Sequence, residues 1–326
     1  MLIVNTDHGF LLGEHEWWGK IAPLYNEVSN TPFFIYDPRV DCSGKTCDAL
    51  CQTIDIAPTI LEYFGQKIPK DMMGKPLNTC YQKNQKIRDY ALYGLHGSSL
   101  CITDGRYTFF RAPKEWPKVY EYTLMPTEMA KRFIPKDFED AEMVKPFSFT
   151  KKARVMKIRR KGGYARVYAP FDLLFDLEKD PGQLKNLTEA YAVKASLCNA
   201  IVKLLKENDA PKELYSNYGL ETKLFKSVTA ADLRKQEEER TSFYSKGIYK
   251  RPEMTVAAKE FMHALLNMVP KAARGIVEAA FMKYFMGHKD NIDLPEIRGF
   301  LESLKKGPMW QLANGGNMIE GFFRNM

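Results

Sequence analysis

The stretch LIVNTDHGFLLGEHEWWGK, residues 2–20, decides how the chain is read. Leu2, Ile3 and Val4 form a short apolar run that gives way to Asn5 and Thr6, the pattern of a buried parallel strand arriving at a ligand-bearing edge. Asp7 and His8 follow at that edge, a carboxylate beside an imidazole. In a doubly wound sheet, ligands bind beyond the carboxyl ends of the strands, and this pair suits a divalent metal ion. The same two residues can equally be hydrogen-bonded structure at a strand end, so both readings stand on spacing alone. Gly9 and Gly13 permit a sharp turn of the backbone behind the pair. Lys20 would bring a point charge back to the same place, suited to the oxygens of a sulfate or phosphate.

Outward from this stretch, residues 31–36 (TPFFIY) read as a second core strand. Asp55 to Phe64 reads as a helix, with Asp55 as cap, Pro58 in the first turn, Ile60, Leu61 and Phe64 on the inward face and Gly65 as the stop. Strand–helix alternation of this kind predicts an α/β sheet. The character then changes. Leu100–Thr103 and Tyr107–Phe110 flank Asp104-Gly105 as a β-hairpin, and a second strand pair is expected from Val155 to Leu177, turning at Gly162-Gly163. Thr188 can cap a helix to about Asn208 that turns Leu197, Ile201, Leu204 and Leu205 inward. From about residue 223 the chain is basic and mostly helical, with apolar helical spacing over Val256–Met268 and Ala272–Met286. A last helix starts at Asp293-Leu294-Pro295 and stops at Gly307. The expected organisation is an α/β portion over residues 1–90, a small antiparallel β subdomain over 91–222, and a helical extension over 223–326.

The 326 residues suffice for one large or two ordinary domains, and a 45% hydrophobic, 27% charged composition is that of a globular chain. No window is long and apolar enough for a membrane span, and residues 1–6 lack the basic start of a signal peptide. The net charge of +8 suits an anionic partner or simple solubility. Cys42, Cys47, Cys51, Cys80, Cys101 and Cys198 contain no CxxC pair and read as reduced thiols, which points to a cytoplasmic compartment.

Several ordered stretches together resemble the sulfatases of the alkaline phosphatase superfamily. Asp7-His8-Gly9, Gly13-Glu14-His15 and Gly19-Lys20 come first, followed by Pro23, Tyr25, Glu27 and Thr31-Pro32-Phe33. Asp55-Ile56-Ala57-Pro58-Thr59-Ile60-Leu61 resembles the family's D-[IL]-x-P-T-[IL]-L helix, and Gly65, Pro69 and Gly74-Lys75-Pro76-Leu77 resemble the loop after it. Asp104-Gly105-Arg106-Tyr107 resembles its DGRYK hairpin. Phe175 to Leu187 resembles the LYDLxxDPxExxNL stretch of its C-terminal subdomain. The resemblance covers roughly residues 1–210 and leaves the tail uncovered.

It implies the C-terminal portion of an alkaline-phosphatase-like sheet with helices, followed by the small subdomain. Asp7 and His8 match the later of the family's two pairs of metal ligands, for one divalent ion, calcium or manganese. Lys20 matches the catalytic lysine on the sulfuryl oxygens, and His15 falls where members carry a histidine in the substrate pocket. The implied substrate is a small-molecule or glycan sulfate ester. The Asp-His version of the pair also resembles phosphodiester and phosphonate monoester hydrolases of the same superfamily. One departure is large. No cysteine or serine lies in the C/S-x-P/A-x-R motif whose residue becomes formylglycine, and the first pair of metal ligands is absent. Two ligands hold a hard cation poorly, so Met1 reads as an internal methionine or the start of a truncated product. The expected partner is then the missing N-terminal half or a complementing chain; a non-catalytic remnant or assembly module is the reading from another class.

Lys151, Lys152, Arg154, Lys157, Arg159, Arg160, Lys161 and Arg166 form a basic segment, read as a solvated hairpin or a wall guiding anionic substrate, without nucleic acid. Of Trp17 and Trp18, one is expected in the core and one toward a sugar or aryl group. His96 reads as a loop histidine, and His263 and His288 as structural.

Overall fold

The computed structural model of the chain describes residues 1–16, 18–20, 24–114, 119–125, 134–159, 171–221, 226–243, 254–268 and 292–305. In chain order the first half holds β1 (Leu2–Asn5), β2 (Leu11–Leu12), β3 (Trp18–Gly19), α1 (Asn26–Ser29), β4 (Phe33–Tyr36), α2 (Ile56–Tyr63), α3 (Asn78–Lys83), β5 (Ala91–Gly94), β6 (Leu100–Thr103), β7 (Tyr107–Arg111), β8 (Tyr120–Thr123) and β9 (Glu142–Val144). Then come β10 (Val155–Arg159), β11 (Leu173–Asp176), α4 (Tyr191–Glu207), α5 (Lys212–Asn217), α6 (Ala230–Phe243), α7 (Val256–Met268) and α8 (Leu294–Lys305). The chain forms two compact units, one of Met1–Phe10 with Lys20–Thr241, the other of Leu11–Gly19 with Ser242–Met326. The architecture is mixed α/β, with antiparallel sheets and helices.

The centre of the first unit is a four-stranded antiparallel sheet ordered β11-β7-β6-β5. Its strands are continuous apolar runs because both faces are covered, and alternation then sorts side chains between two cores rather than between core and water. Ile102, Phe109 and Leu174 face α4, where they meet Leu197, Cys198, Ile201 and Leu205. Their neighbours Cys101, Phe110 and Phe175 point the other way and pack with Tyr25 and Tyr93. Each such side chain, fully buried, is worth about 1.5–3 kcal/mol. The register Cys101↔Phe110 and Ile102↔Phe109 comes from the expected hairpin. Asp104 accepts the amides of Arg106 and Tyr107 at 2.9 and 2.7 Å, and Gly105 takes φ 96°.

One end of this sheet is closed by a buried ion pair. Arg111 donates to Asp172 at 2.6 Å and to the Tyr218 carbonyl at 2.9 and 3.2 Å, and also reaches Gln236 on α6. The second Asp172 oxygen accepts the Ala112 amide at 3.0 Å. Arg111 and Asp172 are 1% and 5% exposed, so neither charge is left to an apolar surrounding without a partner.

Several expectations need correction. β1 is antiparallel, paired with β4 from Leu2↔Tyr36 to Asn5↔Phe33. Nor is the pair buried: Leu2, Val4, Phe34 and Tyr36 are 58%, 52%, 66% and 54% exposed. The inward residues of α2 are Pro58 and Thr59, while Ile60 and Phe64 are exposed. The reason is polar: the Thr59 hydroxyl donates to the Asp55 carbonyl and accepts the Leu77 amide at 3.0 Å. Asp55 does occupy the N-cap position of α2, but its carboxylate makes no cap hydrogen bond there. It is fully buried and receives Arg88, the Lys75 amide at 2.9 Å and the Gln52 amide at 2.7 Å. Strands β10 and β11 do not pair with each other; β10 lies between β8 and β9, and β11 lies beside β7. The expected turn at Gly162-Gly163 lies outside the described residues. Finally, α4 begins at Tyr191 with Ala190 at the cap position, and Thr188 contributes only its carbonyl, which accepts from Lys194 at 2.6 Å.

In the second unit, α7 and α8 share a core of Ala258, Phe261, Met262 and Leu265 with Ile292, Ile297, Phe300 and Leu301. α8 starts where Asp293 predicts it. Asp293 accepts the Leu294 amide at 2.8 Å while Glu296 accepts the Asp293 amide at 2.6 Å, a reciprocal arrangement in the manner of a capping box. Residues 272–286 and Gly307 lie outside the described residues. No helix among the described residues is long and apolar enough to cross a membrane.

Candidate metal and anion site

The site is built where β1 ends. Thr6 donates to the His8 carbonyl at 3.2 Å, and the His8 amide donates to Asp7 Oδ1 at 3.0 Å. These local bonds turn the chain and leave the Asp7 side chain 82% exposed. Gly9 is required for a reason other than turning. Its amide donates to the Val28 carbonyl of α1 at 2.9 Å, and a Cβ there would lie 1.8 Å from the Glu27 carbonyl oxygen. Only glycine lets α1 come this close. Gly13, at φ 125°, is the residue that supplies a turn.

His8 Nδ1 lies 2.9 Å from the Gly9 carbonyl. A carbonyl can only accept, so Nδ1 carries the proton and, in the neutral ring, Nε2 presents its lone pair. Lys20 Nζ stands 2.9 Å from that Nε2, and Asp7 Oδ2 is 3.3 Å from it. The structure therefore brings Asp7, His8 and Lys20 together. Partial desolvation pushes the Asp7 carboxyl up, but His8, its amide and the Thr6 hydroxyl outweigh that and hold the group below its ordinary 3.8. A carboxylate kept ionised beside a histidine lone pair is a donor set that fits a divalent cation. It fits as part of a coordination sphere. Among the described residues no group of three or more His, Cys, Asp or Glu could hold a metal ion.

The support beneath the site comes from the four-stranded sheet. Tyr25 makes an edge contact with Phe110, ring centroids 5.6 Å apart, and a tilted one with Phe175 at 6.0 Å. The Asn26 amide donates to Gln183 Oε1 at 2.6 Å. Sequence reasoning missed Gln183, although it occupies the position of the glutamate in the DPxE motif.

The other singled-out residues have separate settings. His15 belongs to the β2–β3 hairpin of the second unit, in left-handed backbone at φ 53° within the turn Glu14–Glu16. Trp17 lies outside the described residues, and Trp18 pairs with Leu12 through its backbone. His96 Nε2 is 2.9 Å from the Tyr120 carbonyl, and His263 is on an exposed side of α7. His288 lies outside the described residues. In the basic segment, Lys157 is held by Glu142 and Glu213 at 3.3 and 3.2 Å and sits over the Tyr120 ring, while Lys151 meets Asp71 at 3.3 Å. Residues 160–170 lie outside the described residues. Cys47 donates from sulfur to the Cys80 carbonyl at 3.3 Å, and all six cysteines are free thiols.

Comparison with known proteins places stretches of this chain beside sulfatases. Residues 13–144 match the family described as N-sulphoglucosamine sulphohydrolase, C-terminal. An N-acetylglucosamine-6-O-sulfatase of Bacteroides thetaiotaomicron is 33% identical over 86 residues, which is 26% of this chain and 15% of that protein. An arylsulfatase of Clostridium perfringens is 26% identical over 216 residues, 65% of this chain and 34% of that protein. Among solved structures, a 2-O GAG sulfatase overlaps 70% of this chain and 39% of its own at 19% identity, with a TM-score of 0.39. The chain thus spans about a third or less of the two curated relatives just described. Over residues 13–144, this chain is thus similar to the C-terminal part of the sulfatase family.

Proposed function

We propose that the chain supplies half of the active site of a sulfuric ester hydrolase, with Asp7 and His8 as two ligands of one divalent metal ion and Lys20 as the catalytic cation on the sulfate oxygens. The observation that carries this reading is the arrangement at His8: a tautomer fixed by Gly9, a lone pair on Nε2, a carboxylate beside it and an ammonium 2.9 Å away. The sulfated carbohydrates named for the relatives suggest a glycan sulfate ester as substrate.

When bound, the metal (calcium or manganese) would add a Lewis acid to the sulfuryl oxygens. The chain's own residues do the rest of what can be assigned. Asp7 is held below its ordinary carboxylate range, and the Gly9 carbonyl on Nδ1 directs Nε2 of the neutral His8 ring toward the site, the atoms a metal would take. Lys20 places positive charge where the sulfate oxygens would lie, which favours a transition state richer in negative charge than the ground state. The remaining ligands and the formylglycine nucleophile expected of the family would come from polypeptide outside these 326 residues. Residues 1–90, 91–222 and 223–326 would be the functional divisions, the last without an assigned role.

Titration of the chain with Mn2+, followed by electron paramagnetic resonance, tests the ligand assignment. An incomplete sphere predicts weak binding, with Kd on the order of 10−4–10−3 M, lost in Asp7→Ala and in His8→Ala. Equal binding by wild type and both variants would remove Asp7 and His8 from the site. In a longer polypeptide carrying the nucleophile motif, Lys20→Ala should lower aryl sulfate hydrolysis by about 100-fold or more. Faster turnover of an aryl phosphodiester than of an aryl sulfate by that polypeptide would favour the phosphodiesterase reading instead.

A further inference from the structure

Gln183 ties the candidate site to the sheet by side-chain hydrogen bonds at both ends. It is 2% exposed and sits in left-handed backbone at φ 51°, a conformation that disfavours any side chain except where the surroundings hold it. Asp180 builds the turn that holds it there: its carboxylate accepts the Leu184 and Lys185 amides at 3.0 and 2.7 Å, and its carbonyl accepts the Gln183 amide at 3.0 Å. From that turn, Gln183 Oε1 accepts the Asn26 amide at 2.6 Å and Nε2 donates to Thr108 Oγ1 on β7, also at 2.6 Å. A backbone amide can only donate, so the Asn26 contact fixes which end of the side-chain amide points where.

Beyond Asn26 the connection continues to Asp7 and His8. Asn26 opens α1, and the Val28 carbonyl two residues on accepts the Gly9 amide at 2.9 Å. Gly9 in turn offers the carbonyl that fixes the His8 ring. We propose that Gln183 is a positioning residue: it fixes α1 against the four-stranded sheet and through α1 sets where the Asp7-His8 pair stands. Its functional meaning rests on the metal-site reading above; its structural content does not.

The role defines which side chains can fill it. The position needs an acceptor for Asn26 and a partner for the Thr108 hydroxyl. Glutamine meets Thr108 as donor. A glutamate would accept from Asn26 with one oxygen and from the Thr108 hydroxyl with the other, because a hydroxyl can serve either way. Alanine or leucine leaves the Asn26 amide and the 1%-exposed Thr108 without these bonds.

The test is amide hydrogen exchange on the full chain, resolved by residue, together with Mn2+ affinity. In Gln183→Ala the Gly9 and Asn26 amides should exchange about tenfold faster or more, while Ile102 and Phe109 amides in β6 and β7 keep their protection. Where wild type binds Mn2+, the affinity of Gln183→Ala should fall by about tenfold. Gln183→Glu should restore both. Unchanged Gly9 exchange in Gln183→Ala would overturn the proposal. So would an equal loss of protection at Ile102 and Phe109, which marks general loosening. If wild type binds no Mn2+ while Gln183→Ala still releases Gly9 selectively, the metal reading fails and the positioning role stands.

Discussion

Two sheets of the first unit are made from similar runs of apolar residues and end in opposite conditions. In the sheet β11-β7-β6-β5, Ile102, Phe109 and Leu174 are fully buried and α4 covers one face while Tyr25 and Tyr93 cover part of the other. In the pair β1–β4, Leu2, Val4, Phe34 and Tyr36 are more than half exposed. The contrast shows that apolar runs specify strands and leave unsaid what covers them. Around β4, charge does what burial does elsewhere. Asp37, just past the strand, is fully buried and accepts from Arg39 Nη2 at 2.8 Å and from the Tyr81 hydroxyl at 2.7 Å. Arg39 also reaches the Tyr63 carbonyl and Glu62 at the end of α2. The bare pair is held to its helix by ionic contacts, the covered sheet by interlocked side chains.

The largest effect should come from the covered sheet's one buried charge pair. Asp172→Ala removes the carboxylate that Arg111 and the Ala112 amide both use, leaving a guanidinium in a nearly water-free setting with neutral partners. A cost of about 3–5 kcal/mol is expected, read as a lower urea midpoint at unchanged slope. A loss under about 1 kcal/mol would mean that water reaches Arg111, and that this end of the sheet is as open as β1–β4.

The same contrast sets what was legible in the sequence. The hairpin over residues 100–111 was readable because its turn, Asp104-Gly105, dictates local geometry and so fixes the register. The partner of β10 was not, because apolar periodicity names no partner, and β8 and β9 lie in a segment without turn signals as strong. The face of α2 was misread since its buried side is set by Thr59 and the Asp55–Arg88 contact, polar groups that a hydrophobic pattern ignores. At the site, Asp7, His8 and Lys20 were legible as residue types at a strand end. Gly9 was legible as a glycine, for the wrong reason. Gln183, 157 residues from the amide it holds, has no local signal beyond its place in a motif.

Acid should also act on the ion pair beside the bare strands. Arg39, with the Tyr81 hydroxyl, holds the Asp37 carboxyl well below its ordinary 3.8. A depressed folded value means that the unfolded chain takes up the proton first. The contribution is therefore full above about pH 4 to 5 and is lost as pH falls below 3.8 toward the folded value. Thermal melts from pH 7 to pH 3 should show the midpoint falling over that window. Asp37→Asn should lower stability at pH 7 by about 1–3 kcal/mol and flatten the acid limb. An acid limb of the same depth in Asp37→Asn would assign it to other carboxylates, of which Asp176, lowered by its hydrogen bonds with Arg106, is the next candidate.

The smallest expected effect, at Phe34, is the sharpest for the comparison, because it is set against a phenylalanine in a strand of similar composition whose loss should rival that of Asp172. Phe109 is fully buried, and truncation to alanine should cost about 3–5 kcal/mol from lost transfer energy plus the cavity left behind. Phe34 is 66% exposed, and the same truncation should change stability by no more than about 0.5 kcal/mol. What Phe34 should change is association. β1 and β4 pair only with each other among the described residues, so each presents a free edge beside exposed apolar side chains, a surface prone to self-pairing. Phe34→Lys should then leave the melting midpoint in place and reduce concentration-dependent light scattering. If Phe34→Ala instead destabilised the chain as much as Phe109→Ala, the β1–β4 face would be covered in solution, and its exposed state would not be the one the chain adopts there.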